Sequence, residues 1–356
     1  MHFADGESPQ EYRRYIARKI AFIILASVAL ACLVVVSVSV GAADVPMAEV
    51  VKALLGRPVP EQFARIVWSI RLPQALAAVV AGAGLAVAGA SMQSVLRNPL
   101  GSPFTLGISH AAAFGAALSV MLLGGGVMTS SQSGAITVTN QTLTTACAFG
   151  FCLLAVAVIM VVSHVRGASP EVMILAGVAM GSLFTAGTMF LQYFADDVQL
   201  STMVFWTFGD TARASWAELG VLALVTLPAA VYFMLNSWNY NAIDAGDETA
   251  RGLGVHVGRV RLVGMVVASL VSAALIAFLG IIGFVGLAVP HMVRRLIGGD
   301  HRFLLPASLV VGGALLLAAD TAARLMLAPH VLPVSVLTAC LGAPVFLALI
   351  VKGYGR

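Results

Sequence analysis

Charge is what this chain has least of. Asp, Glu, Lys and Arg make up 10% of its 356 residues, while 60% are hydrophobic. Soluble domains carry about 25% charged residues, so the scarcity excludes a water-solvated globule and leaves the bilayer as the solvent. Lysine is scarcer still: it occurs at Lys19, Lys52 and Lys352, and never before Ser or Thr. Without GxxxxGK[ST] the chain cannot hold a nucleotide in a P-loop, and HExxH and GxSxG are missing as well. Cys32, Cys147, Cys152 and Cys340 lie inside apolar runs, without the paired spacing of a metal site, and read as small buried hydrophobes. Alternating ten-residue segments of the β-barrel type are absent too. The net charge of +4 is no argument for nucleic acid, because basic residues collect on the cytoplasmic side of membrane proteins.

What is present is a succession of long apolar runs. A helix satisfies its own backbone polar groups in lipid and needs about 20 apolar residues to cross it. Ten candidate spans meet or approach that length, at about 20–41, 72–92, 105–124, 142–163, 171–193, 216–235, 261–279, 284–297, 303–323 and 333–351. The eighth is too short for a full crossing and is expected to pack inside the protein. The chain is therefore expected to be an all-α integral membrane protein. Residues 1–19 form a cytoplasmic N-terminal segment, and 20–356 a single transmembrane domain. Met1 to Lys19 is polar, with no cleavable signal, so the first span stays as an anchor.

Orientation follows from the basic residues. With the N-terminus inside, 14 of the 20 Lys and Arg fall on cytoplasmic segments and 6 on outer ones, as the positive-inside rule requires. An even number of spans puts both termini in the cytoplasm. The outer loop 125–140 is rich in Ser, Thr and Gly and reads as a flexible connection. The long cytoplasmic loop 236–260 carries Asp247 and Glu248 where carboxylates suit a first helical turn. Gly252 and Gly254 follow as stop signals, so two short helices are expected there.

Several segments carry more than topology. They are RLPQALAAVVAGAGLAVAGASMQSVLRNPLGSPFTLGIS (71–109), ILAGVAMGSLFTA (174–186), FWTFGD with ASW (205–216), AGDETARGLGVHVGRVR (245–261), GFVGLAVPHMVRRLIGGDHR (283–302) and ADTAARLMLAPHVLPVSVLTACLGAPVFLALI (319–350). Together, and in this order, they resemble the permease subunits of ATP-binding-cassette importers for iron chelates, haem and vitamin B12. The resemblance covers most of the chain from Arg71 onward. It implies a ten-helix subunit that forms a homodimer around a central translocation path in the cell's inner (cytoplasmic) membrane. Two copies of a separate ATPase would dock inside, and a periplasmic or lipid-anchored binding protein outside. The chain itself would be no enzyme and would need no cofactor.

The same resemblance assigns roles. Asp247, Glu248, Ala250, Leu253, Gly254 and Val255 match the loop that couples to the ATPase; without it, this stretch is an ordinary capped surface helix. Arg71 and Arg324 match arginines that meet acidic residues of the binding protein, although Asp320, four residues before Arg324, is an obvious local partner. Gln74 stands where a second arginine is usual, a departure that bears on docking geometry. Asn98 and Leu100 match the cytoplasmic gate, while Asn-Pro is a turn signal in any protein. His110 departs from the usual Asn; a lone His in a helix is more often packing than a metal ligand. Met92, Met180, Met189 and Met203 could line the path, but Met mostly fills gaps. Between an iron chelate (siderophore or haem) and vitamin B12 the sequence says little, and the resemblance favours the chelate only because such family members are more numerous. A stand-alone secondary transporter would need intramembrane acids for ion coupling, and the spans offer few besides Asp320.

Overall fold

The computed structural model describes residues 10–41, 45–122, 141–167, 169–327 and 331–353. The expected loop 125–140 lies outside the described residues. Fifteen α-helices follow one another: α1 (Gln10–Ser39), α2 (Met47–Leu54), α3 (Glu61–Ile66), α4 (Leu72–Val95), α5 (Ile108–Leu122), α6 (Gln141–Val165), α7 (Pro170–Phe194), α8 (Asp197–Thr207), α9 (Trp216–Leu235), α10 (Ser237–Asp244), α11 (Asp247–Gly252), α12 (Val257–Leu279), α13 (Val285–Ile297), α14 (His301–Met326) and α15 (Val334–Gly353). Among the described residues seven helices are long and apolar enough to cross a membrane. With α5, α13 and α15 they occupy all ten expected spans.

The first helix differs from expectation. It starts at Gln10 rather than near residue 20, so Arg13, Arg14, Arg18 and Lys19 lie on its opening turns. Arg13, Arg14 and Arg18 are exposed, as long basic side chains that reach water past an apolar stem can be, whereas Lys19 is buried with its ammonium 4.1 Å from the Tyr15 ring centre. A second difference lies ahead of α4. Leu72 N–H bonds to Val67 O, five residues back, in a π-helical turn over Val67–Arg71. Pro73, near the start of α4, has no N–H to offer Ser69, and the wider turn absorbs the missing bond.

α4 is the centre of the bundle, and small residues are the reason. Nearly its whole length is buried, against α14, α12, α13 and α9. A Cβ at Gly82 would lie 2.2 Å from Gly312 O of α14, and one at Gly89 1.8 Å from Gly286 O of α13. Lipid tails give helices no hydrophobic reason to associate, so close backbone packing of this kind supplies much of the attraction.

The backbone is broken between α12 and α13, where Gly280 has φ +81° and Phe284 φ +65°. The freed polar groups nearby find protein partners. Asp210 N–H bonds to Leu279 O at 2.8 Å and Val334 N–H to Gly209 O at 3.1 Å, as irregular backbone at membrane depth requires. α13 has 13 residues, about 20 Å at 1.5 Å per residue. It is the short, internally packed eighth element expected from the sequence.

The bundle presents two ends. One, the basic end, gathers the opening turns of α1, the turn 96–101, the α6–α7 connection, α10, α11 and the α13–α14 turn. The other holds the end of α1, the π-helical turn, the segment 208–216 and the end of α14.

Candidate functional site

At the basic end the expected coupling loop forms two short helices joined at Gly246 (φ +120°) and ended at Gly254 (φ +83°). The residues singled out there divide by direction. Ala250 is fully buried against Ala242, Ile243 and Val257, and Val255 packs on the same small cluster. Gly254 makes the left-handed turn. Glu248 faces solvent, and so does Leu253, at 70% exposure. Asp247 turns inward: its carboxylate accepts from Arg261 Nη2 at 3.1 and 3.2 Å. Arg261 is 3% exposed, and its Nε donates to Val95 O at the end of α4, at 2.8 Å.

α10 is fastened in a second way. His301 Nε2 lies 3.0 Å from Asp244 Oδ2 and 2.8 Å from Ser94 Oγ. A carboxylate only accepts, so the proton belongs on Nε2. Burial raises the Asp244 pKa, but hydrogen bonds from His301 and Ser94 and the charge of Arg294 outweigh it and hold the carboxyl below its ordinary value. Asn241 Oδ1 accepts the His301 backbone N–H at 2.8 Å, and Asn241 Nδ2 donates to Asp300 Oδ1 at 3.0 Å. Asp300 caps α14 and pairs with Arg302 at 2.6 Å. Burial raises its pKa too, yet the hydrogen bonds from Arg302 and Asn241 leave it at about 2. Neither Asp244 nor Asn241 was singled out from the sequence, and His301, which the sequence places in a wet basic turn, is fully buried. Only Asp300, before the apolar run of α14, carried a readable cap signal.

The expected gate residues follow α4. Arg97 N–H bonds to Ser94 O and Asn98 N–H to Gln93 O, both at 3.0 Å. This is a Schellman cap, whose left-handed residue is usually glycine. Here it is Arg97, with φ +46°, at a cost of about 1–2 kcal/mol. Its Nη1 lies 3.8 Å from Asp247 Oδ1. Asn98 Oδ1 accepts the Leu100 N–H at 2.9 Å and fixes the turn, while Leu100 and Phe104 stay about half exposed, at 45% and 50%. Hollows of about 550 Å³ and 480 Å³ open on either side of Arg97.

At the opposite end Arg71 and Arg324 meet around the end of α1. Arg71, buried, donates to Val38 O at 2.9 Å and Ser39 O at 2.8 Å. Arg324 donates to Ser37 O and Oγ at 3.3 and 2.8 Å and to Asp320 Oδ2 at 3.1 Å. The last carbonyls of a helix lack partners, and the two guanidinium groups supply them. Asp320, 3% exposed, also accepts from the Thr211 hydroxyl and from Gln74 Nε2 at 3.2 Å. The residue that departs from the arginine pattern thus serves the buried carboxylate.

Between the two ends, His110 lies edge-on to Phe104 at 5.2 Å and lines a hollow of about 490 Å³ with Met189. Met92 and Met203 are buried in the core. Among the described residues no cluster of three His, Cys, Asp or Glu side chains is placed to hold a metal ion.

An all-helical, multi-pass bundle with a broken short helix and a helical loop fastened to one end is the architecture of a transporter membrane subunit. Residues 29–352 match the model of the FecCD transport family, and the chain belongs to that family. A Methanocaldococcus jannaschii protein described as an ABC transporter permease is 51% identical over 98% of this chain and 99% of its own. The hemin transport system permease of Yersinia pestis is 39% identical over 80% of this chain and 83% of its own. The vitamin B12 import system permease of Klebsiella pneumoniae is 36% identical, over 82% and 83%. Among solved structures, an ABC transporter described as of metal-chelate type, in an inward-facing conformation, superposes with a TM-score of 0.80. It is 28% identical and covers 93% of this chain and 98% of its own. The chain is thus the membrane-embedded permease subunit of an ABC importer, working with an ATPase and other components.

Proposed function

We propose that this subunit carries an iron chelate, siderophore or haem, across the cytoplasmic membrane. Two copies of it surround the path, two copies of a separate ATPase drive it, and a periplasmic or lipid-anchored binding protein delivers the cargo. The observation that carries the reading is the family match across 29–352 joined to the exposed Leu253 at the tip of a doubly fastened helical loop. The hemin permease and the metal-chelate transporter among its relatives support the chelate. The vitamin B12 permease supports cobalamin as the second reading. A stand-alone secondary transporter is set aside by the family.

In this reading the basic end faces the cytoplasm with both termini. Asp247, Glu248, Ala250, Leu253, Gly254 and Val255 build the ATPase-coupling element, with Glu248 and Leu253 as its contacts. Asn98 and Leu100 form the cytoplasmic constriction. Arg71 and Arg324 belong to the binding-protein surface. Both guanidinium groups here hold the end of α1, so meeting a partner's carboxylate means exchanging one of those acceptors.

Replacing Leu253 with Asp tests the reading. The side chain is largely exposed, so the subunit should fold as before while ATPase association and ATP-driven uptake are lost. Full assembly with normal uptake by Leu253→Asp would remove the loop from the coupling interface.

A further inference from the structure

Arg97 stands in a left-handed cap position that glycine fills without strain, so its side chain must contribute what its backbone loses. The ion pair it makes is poor as a stabiliser. Its charge lies 3.8 Å from Asp247, and the Arg97 side chain is 49% exposed, the setting in which pairs add least to stability. What the pair has is position. Asp247 is the first residue of α11 and also the acceptor of buried Arg261, which reaches back to Val95 O. One carboxylate of the coupling segment therefore holds both the last carbonyl of α4 and the residue that immediately precedes Asn98. A shift of α11 moves the partner of both arginines at once, immediately before the turn. Glu171 and Arg251 face the same hollow, and among the described residues Asp247 is the carboxylate paired with both Arg97 and Arg261.

We propose that Asp247, Arg261 and Arg97 form the link that carries movement of α10–α11 to the turn at Asn98–Leu100, with Arg97 as a positioning residue for transport rather than a contact of the ATPase. The inference rests on reading α10–α11 as the coupling element.

The test is Arg97→Gly, which keeps the cap and removes the link. The variant subunit should melt at the same temperature or higher and assemble with the ATPase. Hydrolysis should stay within about twofold, while ATP-driven haem uptake falls about tenfold or more, the range of a typical coupling between sites. Arg97→Lys should restore part of the uptake. A second readout needs no transported substrate: a Leu100→Cys thiol should change its reactivity on ATP addition in the parent and not beside Arg97→Gly. Normal uptake with an ATP-responsive thiol in Arg97→Gly overturns the link. If Leu253→Asp still binds the ATPase, the coupling reading itself fails. If Leu253→Asp loses the ATPase while Arg97→Gly transports normally, the link alone is wrong.

Discussion

Asp300 shows how a single side chain fastens the basic end. Its carboxylate accepts the Arg302 backbone N–H at 3.1 Å as the cap of α14 and holds Arg302, whose guanidinium also lies 4.4 Å from the Trp238 ring. With its pKa lowered from 3.8 to about 2, the charged form is favoured by folding. Its contribution is complete above about pH 4 and is lost as pH falls toward about 2. Asp300→Asn keeps a good cap but removes the charge. The melting temperature of the variant in detergent should lie below the parent's at pH 6, with the gap narrowing below about pH 4 and closing as pH falls toward about 2. A gap that stays constant with pH would show that the ion pair adds nothing.

At this same scale the sequence was legible where a residue's role is local, and not where it depends on distant partners. The Asp320–Arg324 pair is readable from its spacing of four and is present. That Arg71, 33 residues from Val38, would cap α1 is not, because the contact depends on how the outer ends of α1, α4 and α14 meet. The inward turn of Asp247 is hidden for the same reason. A carboxylate in a first helical turn looks the same whether it faces solvent or a buried arginine from the next helix.

At the scale of elements, apolar length placed all ten spans, though not the start of α1, because in lipid a run of that length has few alternatives to a helix. The helices it missed lie outside that logic. α8 opens with a capping box, Asp196 with Gln199, a signal that stands in the sequence but is easily passed over between two long apolar runs. α2 is eight residues long, too short for length to reveal. Helix crossings were legible only as an excess of glycine. Gly89→Ala pushes a methyl group into Gly286 O of α13 and should cost about 1–3 kcal/mol, as overpacking does. Gly220→Ala, with nothing within 4 Å, should be neutral or raise stability by about 0.5–1 kcal/mol, the usual preference for Ala in a helix. Thermal unfolding of the two variants side by side checks the contrast. Equal stabilities would mean that α4 and α13 do not meet at Gly89.

For the whole molecule, the uneven spread of charge sets the orientation expected of it. Gly299 lies in the α13–α14 turn at the basic end, and a cysteine placed there should react with an impermeant thiol reagent in inverted vesicles but not in intact cells. Labelling from outside the cell would reverse the assignment of both termini. The cargo is less legible than the architecture. Relatives whose names specify hemin and vitamin B12 stand at 39% and 36% identity, nearly equidistant from this chain.

The central claim is that this subunit moves its cargo by borrowing ATP hydrolysis rather than an ion gradient. Proteoliposomes containing the subunit and its ATPase, with binding protein and haem on the side away from the ATPase, test it most directly. Haem should accumulate only when ATP is supplied on the ATPase side, and ionophores that collapse proton and sodium gradients should leave the rate unchanged. Accumulation without the ATPase, or uptake abolished by the ionophores while ATP is present, would contradict the account.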